Sequence, residues 1–312
     1  MIIITDDMRN NLEYDGRTPK FGVTINKNKY IVKTMKNGSS SVYSEYVASN
    51  FISKIGYDAH MVKLGYYNGI VGYREYDGLV NVIKDFSNDR YTLHSFKDLG
   101  ESSVDTSLNK KVYAYKEVEK IIKSIVKSDN NIKEIMLRRF WQMYICDAIL
   151  GNRDRHWGNW GFLKDNIEHK LLPAPIYDNG ACLFPDVLNN LYQLNIDTYN
   201  FLYDRTIKFP ASLLKAYRSD EKVYKRTNYK TVFSDLRISK VLVDERNKLI
   251  SRIGGEGVFN AIIEVTSDND IPIELVNFYR MIVMCRYYCI VERMDFDIAY
   301  RKSMNILRGY II

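Results

Sequence analysis

The sequence contains little cysteine and little proline, with four cysteines and six prolines in 312 residues. No two cysteines are spaced as a CxxC pair, which is the spacing of common zinc and redox motifs. Cys285 and Cys289 lie four positions apart in an apolar stretch, so we expect them to share one helix face as buried free thiols. Reduced cysteines are typical of a cytosolic protein.

Long hydrophobic segments are also missing. The first residues, Met-Ile-Ile-Ile-Thr-Asp-Asp, include no basic n-region, so no secretory signal is expected. Arg286 and Glu292 interrupt the longest apolar stretch near the end, so no segment is expected to span a membrane. These absences predict a cytoplasmic protein with no membrane partner.

A cluster of charges of one sign is absent as well. The formal net charge is +7, but the basic residues are scattered and form no long Lys/Arg run. This favours a solvated surface with a modest positive excess over a nucleic-acid footprint, and we expect no direct nucleic-acid binding. The same excess suits a groove that holds a triphosphate or an acidic partner.

The overall composition is that of an ordinary globular protein, with 46% hydrophobic and 27% charged residues. The length suits two unequal lobes better than one compact core. Residues 1–78 are β-rich around a single strong helix, whereas residues 79–312 are mostly helical. A small sheet lobe before a large helical lobe is an α+β pattern.

The β-rich part is predicted to contain two strand pairs and one helix. Apolar alternation predicts two strands within residues 20–33 and a second pair at 61–64 and 69–73, with its turn at Tyr67–Gly69. Between the pairs, a helix is predicted from Ser41 to a stop at Gly56.

The clearest helix of the chain is predicted over residues 131–150. Its last part is apolar on nearly all sides apart from Asp147, which is the pattern of a helix buried within a lobe. It is expected to end at Gly151. The tail, residues 232–312, is predicted to form several amphipathic helices.

The segment after this helix has the residues that phosphoryl transfer requires. Asp154 precedes Asn159 by five positions, and Asp178 follows Asn159 by nineteen. One carboxylate has to orient the attacking hydroxyl and accept its proton, while an amide oxygen and a second carboxylate hold Mg²⁺ against the phosphates. Magnesium is a hard cation that prefers such oxygen ligands.

Two upstream residues complete this candidate site. Lys33 stands at the end of a predicted strand, where its ammonium can reach phosphate oxygens, and Glu45 lies on the following helix. A strand lysine paired with a helix glutamate is the arrangement that fixes the lysine in kinases. We therefore expect Lys33 and Glu45 to pair.

Each of these residues also has an ordinary structural explanation. Lys33 alone reads as a surface residue, Asp154 and Asn159 as capping groups of a helix-to-loop turn, and Asp178 as a turn residue. Their joint occurrence in this order, after a buried helix, favours ATP and Mg²⁺ as cofactors over the separate explanations.

Three further residues of the loop have an aromatic or imidazole side chain. His156 is a candidate base, metal ligand or cofactor contact, but we favour a structural role in which it packs under the loop and bonds the backbone. Trp157 and Trp160 are expected to be packing residues.

At these positions the chain resembles the HipA-like serine/threonine kinases, and within them the short stand-alone CtkA type. The resemblance covers roughly residues 14–185. Its matching stretches are Tyr30–Lys33, Ser44–Ala48, Phe140–Met143, Leu150–Leu163, and Ala174–Asp178 with Gly180 and Cys182.

The resemblance implies a bilobal, protein-kinase-like fold with ATP between the lobes, and a serine/threonine protein kinase that acts on a protein substrate. It implies that Asp154 is the catalytic base, that Asn159 and Asp178 bind Mg²⁺, and that Lys33 binds phosphate. Residues 1–78 are then the nucleotide-binding lobe, and residues 79–312 contain the catalytic loop and the metal-binding hairpin.

The remaining cofactor contacts are implied in the same way. The loop over the phosphates corresponds to Gly16, Arg17, Thr18, Pro19 and Lys20, although it has no GxGxxG pattern. The hinge beside adenine corresponds to Arg74, Glu75 and Tyr76. The chain lacks the extra N-terminal region of full-length HipA toxins, so an antitoxin-type partner is not implied.

Two other functions fit the same residues. Asp154-Arg155-His156 with Asn159 also resembles the catalytic loop of phosphoinositide kinases, which leaves a lipid or small-molecule kinase open. A pseudokinase that binds nucleotide and acts through a partner is the third hypothesis. For autophosphorylation, Thr18 and Ser39–Ser41 are the candidate hydroxyls, with solvated turn residues as the simpler explanation.

Overall fold

The fold combines one five-stranded sheet, two smaller sheets and a helical second part. A computed structural model of the chain describes residues 1–12, 14, 18–35, 39–103, 114–126, 129–187, 198–218, 222–235, 237–267 and 270–309. The sequence-based expectation for Gly16 and Arg17 lies outside these described residues.

The first sheet is antiparallel except at one edge. Its strands are β1 (Ile2–Ile4), β2 (Lys20–Ile25), β3 (Asn28–Thr34), β4 (Val62–Val71) and β5 (Arg74–Lys84). Their order is β1-β4-β5-β3-β2, and β1 pairs with β4 in parallel. Val23, Val32, Val80 and Val82 form part of a small core of this sheet. The predicted β2–β3 hairpin is confirmed.

The β4–β5 hairpin differs from the prediction. Its strands are paired from Val62–Ile83 to Val71–Arg74, so the turn lies at Gly72-Tyr73 and not at Tyr67–Gly69. Gly72 has a positive φ of 64°, which a turn of this kind requires. The sheet continues to Lys84, and residue 78 falls within β5.

Helix α1 (Ser41–Lys54) follows β3 and forms where the sequence predicts it. It ends before Gly56, whose φ of 81° is left-handed. Its buried residues include Val47, Phe51 and Ile52, which belong to the same hydrophobic core as the second part of the molecule.

The second part is built on a long buried helix. Its first elements are β6 (Tyr91–Ser95), α2 (Phe96–Ser103), α3 (Tyr115–Val126), α4 (Asn130–Leu150), β7 (Gly161–Asp165) and β8 (Leu171–Pro173). Asp129 caps α4 by accepting a hydrogen bond from the Ile132 amide, and Gly151 ends it with a φ of 68°. This confirms the helix predicted over residues 131–150.

The three-stranded sheet β6-β7-β8 positions the candidate site. The loop from Asn152 to Trp160 connects α4 to β7, and Asp178 follows β8. Ala59 forms a parallel bridge with Ile176, and the His60 amide donates to the Ile176 carbonyl at 3.0 Å. The segment before Asp178 is thereby attached to the chain between α1 and β4.

The remaining elements form the rest of the helical part. They are α5 (Thr198–Tyr203), a π-helical turn (Asp204–Lys208), β9 (Pro210–Arg218), β10 (Val223–Asn228), α6 (Tyr229–Ser234), α7 (Lys240–Arg252), α8 (Gly254–Val265), α9 (Ile273–Arg286), a π-helical turn (Tyr287–Val291) and α10 (Phe296–Arg308). Cys285 and Cys289 are buried free thiols, as predicted.

Candidate active site

The centre of the candidate site is the ammonium group of Lys33. Its Nζ lies 2.7 Å from Glu45 Oε2 and 2.9 Å from Asp178 Oδ1. Strand β3 holds Lys33, helix α1 holds Glu45, and the segment after β8 holds Asp178. The predicted Lys33–Glu45 pair is present, and a residue 145 positions away in sequence joins it.

The charges of this triad stabilise one another. Burial opposes the charge on Lys33, but Glu45 and Asp178 together outweigh that effect and raise the Lys33 pKa above its ordinary value. Burial likewise disfavours the charge on Asp178, yet Lys33, Arg155 and His60 lower its pKa to about 2. Lys33 and Asp178 are therefore both ionised at neutral pH.

A buried polar layer lies behind the triad. The hydroxyl oxygen of Ser49, on α1, lies 2.8 Å from His60 Nε2 and accepts a hydrogen bond from Asn179 Nδ2 at 3.0 Å. His60 Nε2 is 3.7 Å from Glu45 Oε1. Burial lowers the His60 pKa to about 4, so this imidazole is neutral at pH 7. These contacts attach α1 to the residue after Asp178.

The loop between α4 and β7 is organised by Arg155, whose side chain is fully buried. Its guanidinium makes a bidentate pair with Asp147, with Nε and a terminal nitrogen 2.9 and 3.0 Å from the two carboxylate oxygens. It also donates to Asn179 Oδ1 and to the carbonyl oxygens of Asn159 and Tyr177. One side chain thus joins the buried helix, the loop and the Asp178 segment.

Sequence analysis did not assign this role to Arg155. The signal was Asp147, the one charged residue in the apolar end of α4, because a buried carboxylate requires a cationic or hydrogen-bonding partner. Asn152 shares the same carboxylate through Nδ2 at 3.0 Å. Tyr229 reinforces the loop by donating its hydroxyl proton to the Asn152 carbonyl at 3.0 Å.

Asp154 and Asn159 are held by backbone contacts of this loop. The Asp154 amide donates to Asn152 Oδ1 at 3.0 Å, and the Asp154 residue is exposed. Asn159 Nδ2 points to the Asp154 carbonyl at 3.3 Å. With its nitrogen used in this way, the Asn159 amide presents its oxygen as an acceptor.

His156 is exposed, and its Nδ1 accepts a hydrogen bond from the Gly158 amide at 3.1 Å. It bonds the backbone as predicted but does not pack under the loop, where buried Arg155 lies. Trp157 and Trp160 are buried against Phe96, as expected of packing residues.

The residues compared with a kinase hinge lie at the hairpin end of β5. Arg74 and Glu75 are exposed next to the Gly72-Tyr73 turn. Lys33 pairs with Asn81 of β5. Arg74, the first residue of β5, lies seven positions before Asn81, at the hairpin end of the strand. Tyr76 lies closer to β3, because its hydroxyl oxygen accepts from the Met35 amide at 3.0 Å.

The other end of β5 leads directly to the Asp178 segment. Phe86 follows β5 and packs against Tyr177, with ring centroids 5.8 Å apart. The Tyr14 hydroxyl donates to Asp85 Oδ2 at 2.9 Å. On the opposite side, Lys20 begins β2 opposite Lys33, and half-buried Thr18 precedes it.

The donor set fits a magnesium–nucleotide complex. Asn159 offers an amide oxygen, and Asp178 offers an ionised carboxylate whose side chain is 41% exposed. A Cβ added at Gly180 would lie 3.0 Å from Glu45 Oε2 and 3.7 Å from Lys33 Nζ, so glycine leaves the space beside the triad open. Oxygen donors next to a lysine ammonium suit a hard cation and phosphate.

The class of protein follows from this arrangement. A curled sheet that holds Lys33, with Glu45 on the following helix, is placed before a helical part that contains the Asn152–Trp160 loop and Asp178, and this is a protein-kinase-like fold. The chain belongs to the family of HipA-like C-terminal domains, whose family model matches residues 12–228. The resemblance found in the sequence and the predicted α+β bilobal fold class are confirmed.

Known proteins are similar to this chain over different lengths. Serine/threonine-protein kinase CtkA of Helicobacter pylori strain J99 is 32% identical over 219 residues, which are 63% of this chain and 59% of CtkA. The chain thus spans less than two thirds of that curated relative. The crystal structure of a Helicobacter pylori proinflammatory kinase CtkA matches with a TM-score of 0.74 and 25% identity, over 98% of both chains.

A HipA structure from Shewanella oneidensis MR-1, solved with HipB and operator DNA, matches with a TM-score of 0.49 and 14% identity. That match covers 96% of this chain and 68% of the other.

None of the helices in the described ranges has the length and apolar character that crossing a bilayer requires.

Proposed function

We propose that this chain is a serine/threonine protein kinase that transfers the γ-phosphoryl group of ATP to a hydroxyl of a protein substrate. The observation that carries the proposal is the Lys33 ammonium held between Glu45 and Asp178. The kinase name of the similar CtkA chain supports it. The substrate class and the ATP and Mg²⁺ dependence are part of the proposal.

The side chains divide the work of phosphoryl transfer. Lys33 binds phosphate oxygens and is held in place by Glu45. Asp154, exposed at the surface of the loop, orients the acceptor hydroxyl and takes up its proton. Asn159 and Asp178 would hold Mg²⁺, which offsets phosphate charge when it is bound. Arg155 keeps the loop and the Asp178 segment in register.

The nucleotide base requires a second assignment. Arg74, Glu75 and Tyr76, which the family resemblance implies as the hinge, lie at the hairpin end of β5, away from the second part. We propose the segment Asp85-Phe86 as the hinge instead, because it leaves the sheet beside Tyr177 and Asp178. The loop from Gly16 to Lys20 stays the proposed phosphate cover. The sheet to Lys84 then acts as the nucleotide-binding lobe.

Replacement of Asp154 by Asn tests the catalytic assignment. We expect turnover to fall by roughly 10²–10⁴-fold, the usual contribution of a positioned acid–base group. ATP-analogue affinity should stay within about twofold, since Asp154 does not contact Lys33. The measurement is transfer of ³²P from γ-labelled ATP to protein, with titration calorimetry for binding.

Asp89→Asn is the matched control, because Asp89 is also an exposed aspartate of a loop. It should leave turnover unchanged. Parental turnover in Asp154→Asn would remove Asp154 from the mechanism. Label that appears only on lipids or aminoglycosides, when these are offered beside protein, would replace the proposed substrate class.

A further inference from the structure

A cavity of about 530 Å³ lies between the end of α1 and two helices of the second part, away from Lys33. Three segments line it: the turn after α1, the middle of α4 and the last turns of α7. The lining residues are Gly56, Tyr57, Asp58, Arg138, Arg139, Gln142, Glu245, Lys248, Ser251 and Arg252. Its volume lies within the range of small-ligand sites.

Cationic side chains outnumber carboxylates in this cavity by four to two. Glu245 is shared between Arg138 at 2.8 Å and Lys248 at 2.9 Å. Arg252 has no carboxylate partner within the described ranges. It donates to the Ile55 carbonyl and lies 5.3 Å from the Tyr57 ring centroid. Because Arg138 is also paired with Glu134 outside the lining, the uncompensated positive charge of the cavity is that of Arg252.

Arg139 adds a buried donor without an acceptor. Its guanidinium donates to the backbone carbonyl of Asp58 at 2.8 Å and to Asp58 Oδ2 at 3.1 Å. Its Nε is buried and has no hydrogen-bond acceptor among the residues that the structure describes. Burial lowers the Arg139 pKa, and Asp58 offsets this only in part. Its carboxylate partner Asp58 is exposed, so an anion in the cavity can add to or replace this contact at the terminal nitrogens of Arg139.

The wall of the cavity is connected to both acidic partners of Lys33. The carbonyl of Ile55, the residue that ends α1, accepts from Arg252, and α1 holds Glu45. The Asp58 carbonyl also accepts from the Ile176 amide at 2.9 Å, two residues before Asp178. A ligand that fixes the turn between Ile55 and Asp58 thereby acts on α1 and on the Asp178 segment together.

We propose that this cavity binds a phosphate-bearing anion and that its occupation stabilises the active arrangement of Lys33, Glu45 and Asp178. Arginine guanidinium groups bind phosphate through paired, charge-assisted hydrogen bonds. Arg139 and Arg252 are the principal donors, and Lys248 contributes from the exposed rim. The proposal has a binding half, that the cavity takes up an anion, and a regulatory half, that this stabilises the active arrangement. The regulatory half rests on the proposed kinase function, whereas the binding half does not.

Titration calorimetry with two probes tests the binding half. The probes are sodium pyrophosphate and a phosphoserine peptide, with the unphosphorylated peptide as reference. Whichever probe binds the parent chain should bind the double variant Lys248→Gln/Arg252→Gln at least tenfold more weakly than it binds the parent. Lys29→Gln/Lys63→Gln, two exposed lysines of the first sheet, should bind like the parent. Lys33→Met separates the cavity from the cleft, because it removes the phosphate-binding ammonium of the cleft, so a probe site that this variant retains lies in the cavity.

Binding of pyrophosphate alone indicates a free anion, and binding of the phosphopeptide alone indicates a phosphorylated protein. Either result supports binding in the cavity if the double variant no longer binds that probe. The proposal is overturned if the parent chain and the double variant bind the probes with equal affinity and the midpoints of their thermal unfolding are the same. So does the absence of binding to both probes in the parent chain.

Reciprocity tests the regulatory half. If the cavity is coupled to Lys33, a saturating probe should change the affinity for a non-hydrolysable ATP analogue by about fivefold or more, and the analogue should change probe affinity by the same factor. Unchanged affinities in both directions would refute the coupling. A chain that binds the probe but transfers no phosphate would instead refute the proposed kinase function.

Discussion

At the scale of single residues, the site depends most on Arg155. Its guanidinium is buried and joins Asp147 to the loop and to the Asp178 segment. We expect Arg155→Met to lower the free energy of unfolding by about 3–5 kcal/mol, because the buried Asp147 carboxylate loses its counter-charge. Urea denaturation at pH 7 measures this.

Arg153 provides the matched control two residues away. It pairs with Asp186 at the surface, where both side chains are largely exposed, so Arg153→Met should cost at most about 1 kcal/mol. The double variant Arg155→Met/Asp147→Leu should recover part of the loss, since it removes both charges. If Arg155→Met and Arg153→Met lower the free energy of unfolding by the same amount, Arg155 does not organise the loop.

His60 makes the stability of the fold depend on pH. Its pKa falls from 6.5 to about 4 because it is buried, so the unfolded chain binds a proton that the folded chain does not. Stability is therefore fully present above pH 6.5 and decreases as the pH falls toward 4. The loss approaches about 3 kcal/mol for a shift of this size.

Urea midpoints at pH 7.5, 6 and 5 measure this effect. The reference is His60→Gln, which does not titrate and retains a polar group beside Ser49. Carboxylates that titrate in the same interval affect both proteins, so the difference in slope isolates His60. If parent and variant lose stability equally between pH 7.5 and 5, the buried imidazole is not the cause.

At the scale of elements, local patterns predicted the strands and helices whose ends have strong signals. Gly56 and Gly151 end α1 and α4 as expected, because both adopt left-handed backbone. The β4–β5 turn was misplaced because Asn68-Gly69 resembles a turn. In the structure Gly69 lies opposite Tyr76 within the ladder, and sheet pairing overrides the local preference.

The candidate site was predictable to a similar degree. Lys33 and Glu45 were predicted as a strand-lysine and helix-glutamate pair and Asp178 from its spacing after Asn159, and the structure brings the three into contact. The contacts of Arg155 with Asp147, Asn159 and Asn179 depend on the packing of three elements, and no local pattern contains them. Only the polar Asp147 in a buried helix pointed to such a partner.

The segment after Asp178 packs closely on helix α1 through Gly180. Because an added Cβ would lie 3.0 Å from Glu45 Oε2, we expect Gly180→Ala to displace Glu45 from Lys33. The KM for ATP should rise by about tenfold, and the free energy of unfolding should fall as well, because buried Glu45 loses contact with its counter-charge. Initial rates at varied ATP measure this.

Gly78→Ala is the control for this change. Its added Cβ would meet nothing closer than 3.6 Å, which is ordinary contact. It should leave the KM for ATP near the parental value. A similar KM in Gly180→Ala would mean that Glu45 does not need to stay beside Lys33.

At the scale of the whole molecule, helix α1 joins the sheet to the large core of the second part. The sheet alone encloses a small cluster that includes Phe21, Val32 and Tyr67. The buried face of α1 belongs instead to the large core of the helical part, together with Phe140 and Ile282. The helix that holds Glu45 thus packs both on the sheet, where Asn50 Nδ2 donates to the Val62 carbonyl of β4, and on the second part.

This sharing predicts a single unfolding transition. Exposing the buried face of α1 to water costs on the order of 10 kcal/mol for five large apolar side chains, which is comparable to the whole stability of a typical domain. The first sheet with α1 is therefore not expected to stay folded once the second part unfolds. An isolated fragment of residues 1–90 should be unfolded for the same reason.

Two probes separate the parts during urea denaturation. All three tryptophans, Trp141, Trp157 and Trp160, lie in the second part, so their fluorescence reports its unfolding. Hydrogen exchange of the β2 and β3 amides reports the first sheet. We expect one common midpoint, because loss of the shared core removes the support of α1. Sheet amides that stay protected beyond the tryptophan transition, or a folded 1–90 fragment, would show that the sheet and α1 are stable on their own.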